Sequence, residues 1–203
     1  MKTGRRDWTG NSQAAFVIFG AEGHATHERA AYDYYATEPR AVELLLEQEQ
    51  FASTIWEPAC GEGHISKVLI EHGYEVISTD LIDRGFGIGG VDFLSCTAPI
   101  TDAPCDIITN PPYKYSTEFA EKALELVADG RKVAMFLKLT FMESKKRKPF
   151  FQKYPPRTVY VSSGRLTCGF NGQFHVHSAK AIAYAWYVWE KGFNDDPVIR
   201  WIN

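Results

Sequence analysis

The chain has 203 residues, 45% of them hydrophobic and 23% charged, with a formal net charge of −3. That length supports one substantial core, in a single domain or one with a small appendage. No apolar run reaches membrane-spanning length and the charged N-terminus lacks a signal-peptide core, so a soluble intracellular protein is expected. Cys60, Cys96, Cys105 and Cys168 are widely spaced with no Cys-x-x-Cys pair, which signals neither a zinc site nor a disulfide framework.

Residues 1–30 are polar and without clear periodicity, and read as an arm ahead of one domain spanning 31–203. A helix is expected from Arg40 to Gln50, with Pro39 in its first turn. The strand Thr54 to Trp56 runs into the turn Glu57-Pro58-Ala59-Cys60-Gly61-Glu62-Gly63 and then a helix with Ile65, Val68, Leu69 and His72 on one face. Gly61 and Gly63 allow positive φ and close backbone approach to a ligand, and the helix N-terminus beyond them suits a carboxylate or phosphate. A strand from Val76 to Thr79 leads to Asp80, whose carboxylate could accept hydrogen bonds from both hydroxyls of a ribose. The Walker phosphate loop and the full dinucleotide fingerprint are absent. The glycine-rich stretch 84–90 reads as a flexible connection, because no strand leads into it.

Val91 to Leu94 reads as a short third strand and Asp106 to Thr109 as the fourth. Ser116 is expected to cap a helix with Phe119, Ala123, Leu126 and Val127 on its apolar face, ending at Gly130. Strands at Lys132–Leu139, Thr158–Ser162 and Ala181–Trp189 complete about seven. The alternation predicts an α/β fold, a single doubly wound, Rossmann-like, mostly parallel sheet.

Asn110-Pro111-Pro112-Tyr113 directly follows the fourth strand. Proline cannot donate to a ladder, so the pair lies just beyond the strand's carboxyl end, the edge where open α/β sheets bind ligands. The turn would offer an amide, backbone carbonyls and an aromatic plate, the equipment a planar amine such as adenine N6 needs. An isolated Asn-Pro-Pro is more often a plain turn; the glycine turn upstream reverses those odds.

Net charge hides an asymmetry. Residues 131–180 carry 11 of the 22 Lys and Arg but one of the 25 acids, Glu143, which suggests one face built for a polyanion. Lys145-Lys146-Arg147-Lys148, beside Phe141, Phe150 and Phe151, reads as the lip of a nucleic-acid groove. The polar segment 164–180, with Arg165, Asn171, His175 and His177, reads as an edge loop between the last two strands that contacts nucleotides flanking the target. His175-x-His177 with Cys168 lacks a fourth ligand and His24-x-x-His27 is no stronger, so no metal is expected.

Together these residues resemble the S-adenosylmethionine-dependent N6-adenine DNA methyltransferases of phages and prophages. Asp33-Tyr34-Tyr35-Ala36-Thr37-Glu38-Pro39 is similar to motif X, Glu57 to Gly63 to motif I, Asp80 to motif II, Asp92-Phe93 to motif III and Asn110 to Tyr113 to the catalytic motif IV. The stretch 181–192 is similar to the closing strands of phage enzymes in this group. The resemblance implies a class I methyltransferase fold with S-adenosylmethionine as cofactor. Tyr35, Ala36, Thr37, Pro39, Glu57, Pro58, Ala59, Gly61, Gly63, Asp80, Leu81, Asp92, Phe93 and Asn110 would contact that cofactor. It also implies DNA as partner and the cytoplasm of a bacterial host or infected cell as location. Asn110 and the Pro111 carbonyl would accept the N6 protons while Tyr113 stacks on the base, and no protein nucleophile is needed. Little length is left for a target-recognition domain, so a short or relaxed target is expected. RNA adenine methylation, glutamine N5 methylation of a protein, and a catalytically idle nucleic-acid-binding module stay open as alternatives.

Overall fold

The computed structural model of the chain describes residues 34–166, 168–170 and 182–203. Within them lie strands β1 (Tyr35–Thr37), β2 (Thr54–Glu57), β3 (Glu75–Ser78), β4 (Asp106–Thr109), β5 (Lys132–Lys138), β6 (Thr158–Ser162), β7 (Cys168–Phe170), β8 (Tyr184–Glu190) and β9 (Val198–Ile202). Helices α1 (Pro39–Leu46), α2 (His64–Glu71), α3 (Ser116–Leu126) and α4 (Lys148–Lys153) connect them. Seven strands form one sheet in the order β3-β2-β4-β5-β8-β6-β9, with β8 alone antiparallel to its neighbours. The chain steps from β2 to β3 on one side and then returns past β2 to β4 on the other. That reversal opens a crevice at the carboxyl ends of β2 and β4.

Alternating side chains assign the two faces. Ile55, Ile108, Ala134, Phe136, Trp186 and Val188 pack against α1 and α2, while Trp56, Ile107, Val133, Met135, Tyr187 and Trp189 pack against α3 and α4. Both faces are covered, so these strands read as continuous apolar runs. Each Ile, Val, Met or Phe among them contributes about 1.5–3 kcal/mol on removal from water. The buried indoles keep their hydrogen bonds: Trp56 Nε1 donates to Thr79 Oγ1 at 3.0 Å and Trp186 Nε1 to the Ala41 carbonyl at 2.7 Å.

Several sequence expectations change. Val91 to Leu94 is not a strand. Asp92 accepts from the Leu94 N–H and the Ser95 hydroxyl, capping a 3-10 turn at Phe93–Ser95. A side chain that satisfies the local backbone in this way removes the need for a ladder. The seventh strand is instead β9 at the opposite edge, where Val198, Ile199 and Trp201 are 46%, 46% and 70% exposed. The loop after β6 therefore does not join the last two strands; its residues 168–170 pair antiparallel with β1.

The 84–90 connection is held rather than loose. Ile88 bridges to Thr79, with its N–H donating to the Ser78 carbonyl at 2.9 Å. Ser116 lies inside α3 and donates its hydroxyl to the Tyr113 carbonyl, with Tyr115 at the cap position. His72 sits exposed at the end of α2 rather than on its buried face. The 1–30 arm and residue 181 lie outside the described residues. No helix among the described residues is long and apolar enough to cross a membrane.

Candidate active site

A cavity of about 660 Å³ occupies the crevice at the carboxyl ends of β2, β3 and β4. Its wall takes Tyr35, Ala36 and Thr37 from β1, and Glu57, Pro58 and Ala59 from the first turn. Asp80 and Leu81 follow β3, Asp92 and Phe93 come from the 3-10 turn, and Asn110 and Pro112 from the proline turn. Gly61, Gly63, Pro39, Pro111 and Tyr113 do not line it. The glycines act from behind the wall: both have positive φ, 55° and 80°, and a Cβ on Gly63 would meet the Phe86 ring at 2.5 Å. Tyr34 packs against Gly61 in the same way. Pro39 opens α1, where its fixed φ suits the first helical turn.

Asn110 is held through its amide nitrogen. Its Nδ2 donates to the Tyr35 carbonyl at 2.8 Å and to Thr37 Oγ1 at 3.0 Å, with Cys168 Sγ at 3.8 Å. The Tyr35 carbonyl can only accept, which fixes which amide atom is nitrogen. Its Oδ1 is buried and has no hydrogen-bond partner among the described residues. An orphaned buried acceptor costs on the order of 1–3 kcal/mol, so it is an unusual thing for a fold to hold in place.

Acidic groups dominate the glycine turn. Asp80 accepts from the Gly61 N–H and the Ile82 N–H, both at 2.8 Å, tying the two turns together. Glu57 is buried, and accepts from the Ser66 N–H at 2.8 Å and from the Ser66 hydroxyl. The N-terminus of α2 is thus filled by the chain's own carboxylate instead of standing open for a ligand anion. Burial pushes the Glu57 carboxyl up to about 8, against the hydrogen bonds from Ser66. Burial, with Glu57 and Asp80 nearby, also pushes the Cys60 thiol up to about 12, which leaves it protonated and unsuited to nucleophilic work.

Tyr113 is not presented to the cavity. Its ring stacks on Tyr35 at 5.3 Å, Lys138 Nζ lies 4.7 Å from its centroid, and its hydroxyl meets Cys168 Sγ at 3.3 Å. Burial raises its phenol well above the ordinary range. Tyr115, 41% exposed, lines the cavity instead. Tyr34, His64, Arg84 and Lys114 also join the wall, although their positions in the sequence gave them no individual role. The signal for Tyr34 and Arg84 was proximity to the ligand-side turns, which one-dimensional spacing does not weigh.

Lys145, Lys146 and Lys148 are exposed where the chain leaves the carboxyl edge of β5 and enters α4. Arg147 is committed to the backbone: it donates to the carbonyls of Phe141, Thr140 and Glu143 and stacks on Phe141 at 4.9 Å. Arg165 is exposed. Asn171, His175 and His177 lie outside the described residues, as do His24 and His27. No group of three or more His, Cys, Asp or Glu among the described residues could hold a metal ion.

No protein-family model matches the sequence, and no curated protein matches it either. Solved structures do resemble the fold. An assigned class I S-adenosylmethionine-dependent methyltransferase from Listeria monocytogenes is 12% identical, over 93% of this chain and 71% of that one, with a TM-score of 0.58. An assigned RNA methyltransferase from Pyrococcus horikoshii is 16% identical, over 90% of this chain and 100% of that one, at 0.54. The modification subunit of an assigned type I restriction enzyme from Vibrio vulnificus is 13% identical, over 93% of this chain and 50% of that one, at 0.56. At these identities the likeness establishes the fold, a Rossmann-like α/β sheet of the class I methyltransferase type.

Proposed function

We propose that the chain transfers a methyl group from S-adenosylmethionine to the exocyclic N6 amine of adenine in DNA. The orphaned Oδ1 of Asn110, fixed in one orientation beside the glycine-turn cavity, carries this reading. It is an acceptor that waits for an N–H donor, and an exocyclic amine supplies one. Once bound, S-adenosylmethionine provides an electrophilic methyl group on a cationic sulfur.

The cavity wall fits that cofactor. Asp80 keeps lone pairs for ribose hydroxyls, since each of its oxygens has accepted one backbone N–H. Phe93, Leu94 and Phe119 offer an apolar slot for a purine. Glu57 sits where a cationic ligand would favour its ionised form.

The amine of adenine is a weak nucleophile because its lone pair is delocalised into the ring. Asn110 Oδ1 and the Pro111 carbonyl, accepting its two protons, would favour a more tetrahedral nitrogen. Positive charge grows on that nitrogen as the bond forms, so fixed acceptors stabilise the transition state more than the ground state. Holding two reactants in line could contribute roughly 7–11 kcal/mol. The proton then leaves to water. The restriction-enzyme description of the Vibrio vulnificus neighbour supports a DNA substrate.

The test is methyl transfer from labelled cofactor to DNA, RNA and protein. Label in DNA that digests to N6-methyladenine is expected, and Asn110→Ala should lower turnover at least 100-fold, on the order of 3 kcal/mol or more, with cofactor affinity near wild type. Label confined to protein glutamine, or full activity in Asn110→Ala, would overturn the reading.

A further inference from the structure

Arg84 has no assigned task in the chemistry above, yet it lines the cavity. It makes no ion pair among the described residues, and its Nε is buried without a hydrogen-bond partner. Its guanidinium lies 4.4 Å from the centroid of the Tyr34 ring. Tyr34 is itself held, accepting from the Glu62 N–H at 3.3 Å and meeting His64 Nδ1 at 3.4 Å, with its ring against Gly61. A planar cation is therefore fixed beside the glycine turn, in a part of the wall chemically unlike the apolar slot of Phe93 and Phe119. No acid of the wall lies within ion-pair distance of it: Asp80 is held by backbone N–H groups, Glu57 by Ser66 and Asp92 by Leu94 and Ser95. A buried, unpaired guanidinium nitrogen is costly unless an anion completes it.

We infer that Arg84 is the clamp for the α-carboxylate of the cofactor's amino-acid tail, and so makes the cavity select a nucleoside that carries an anionic tail. The inference rests on the S-adenosylmethionine reading. Its second support is that the other anion site at this turn is taken. Glu57 fills the N-terminus of α2, so a ligand carboxylate arriving at the glycine turn has no helix end to meet. Guanidinium matches carboxylate with two parallel hydrogen bonds, and stacking on Tyr34 leaves its edge free for that pairing.

Two ligands separate this role from a structural one. S-adenosylhomocysteine carries the amino-acid tail, and 5′-methylthioadenosine has the same nucleoside and thioether without it. Calorimetric titration of wild type, Arg84→Gln and Arg84→Lys is the experiment. S-adenosylhomocysteine should bind Arg84→Gln at least tenfold more weakly than wild type, with Arg84→Lys between them. Binding of 5′-methylthioadenosine should be unchanged, which also shows that the variants are folded. Equal loss for both ligands, or no loss for either, overturns the clamp while leaving the cofactor reading intact. Wild type that binds neither ligand overturns both.

Discussion

Glu57 shows how one residue can be set by burial against its own hydrogen bonds. The folded carboxyl holds its proton up to about 8, whereas an exposed one releases it near 4.5. Between those values the unfolded chain binds fewer protons than the folded one, so raising the pH favours unfolding. The contribution is complete below about 4.5 and lost as pH rises through 8. Glu57→Gln keeps an acceptor for the Ser66 N–H and has no such titration. Its melting temperature should therefore climb relative to wild type between about pH 5 and pH 8, corresponding to a gain of up to roughly 4 kcal/mol. Parallel melting curves across that range would mean that the carboxyl is not held neutral.

At the scale of elements, the short ribbon of β1 and β7 does more for the site than its size suggests. Tyr35↔Phe170 and Thr37↔Cys168 are register partners, and from this ribbon come the three atoms that meet Asn110 Nδ2. Without them the amide could rotate and offer nitrogen instead of oxygen. Thr37→Val removes one acceptor with little change in volume at a position only 2% exposed. Turnover should fall about three- to tenfold, the equivalent of roughly 1 kcal/mol, while affinity for S-adenosylhomocysteine stays near wild type. A loss of affinity without loss of turnover would show that β1 serves the cofactor and not the amide.

For the whole molecule, the basic segment 131–180 is divided by the fold. Lys132 and Arg157, at the amino-terminal ends of β5 and β6, converge on buried Glu49 at 2.7 and 2.6 Å, and Arg157 also reaches Glu190. These charges answer internal acids on the edge opposite the cavity. Lys145, Lys146 and Lys148 remain exposed in the connection that leaves the carboxyl end of β5. Replacing those three by Gln should reduce the slope of log affinity for DNA against log salt by about 2–3, near 0.9 for each phosphate that is no longer neutralised. Arg147→Gln should act differently and lower the melting temperature, because three backbone carbonyls lose their donor. An unchanged salt slope in the triple variant would show that these three lysines are not part of the proposed DNA contact.

The sequence by itself determined the alternation of β2, β3, β4, β5, β6 and β8 with α1, α2 and α3, and the two turns that follow β2 and β4. Those features are local: a glycine at positive φ, a proline without an N–H and an apolar run each act on their own neighbours. It mistook 91–94 for a strand because a capped 3-10 turn and a short strand share one apolar pattern, and it passed over β9 because an exposed edge strand has little pattern at all. Only the tertiary structure decided that Tyr113 turns inward onto Tyr35 and that Glu57 occupies the helix end. It likewise set Arg84 over Tyr34 and aligned Asn110 through residues 75 and 58 positions away in the chain. These are long-range contacts, and side-chain orientation is chosen by whatever neighbour the fold delivers rather than by the residues alongside.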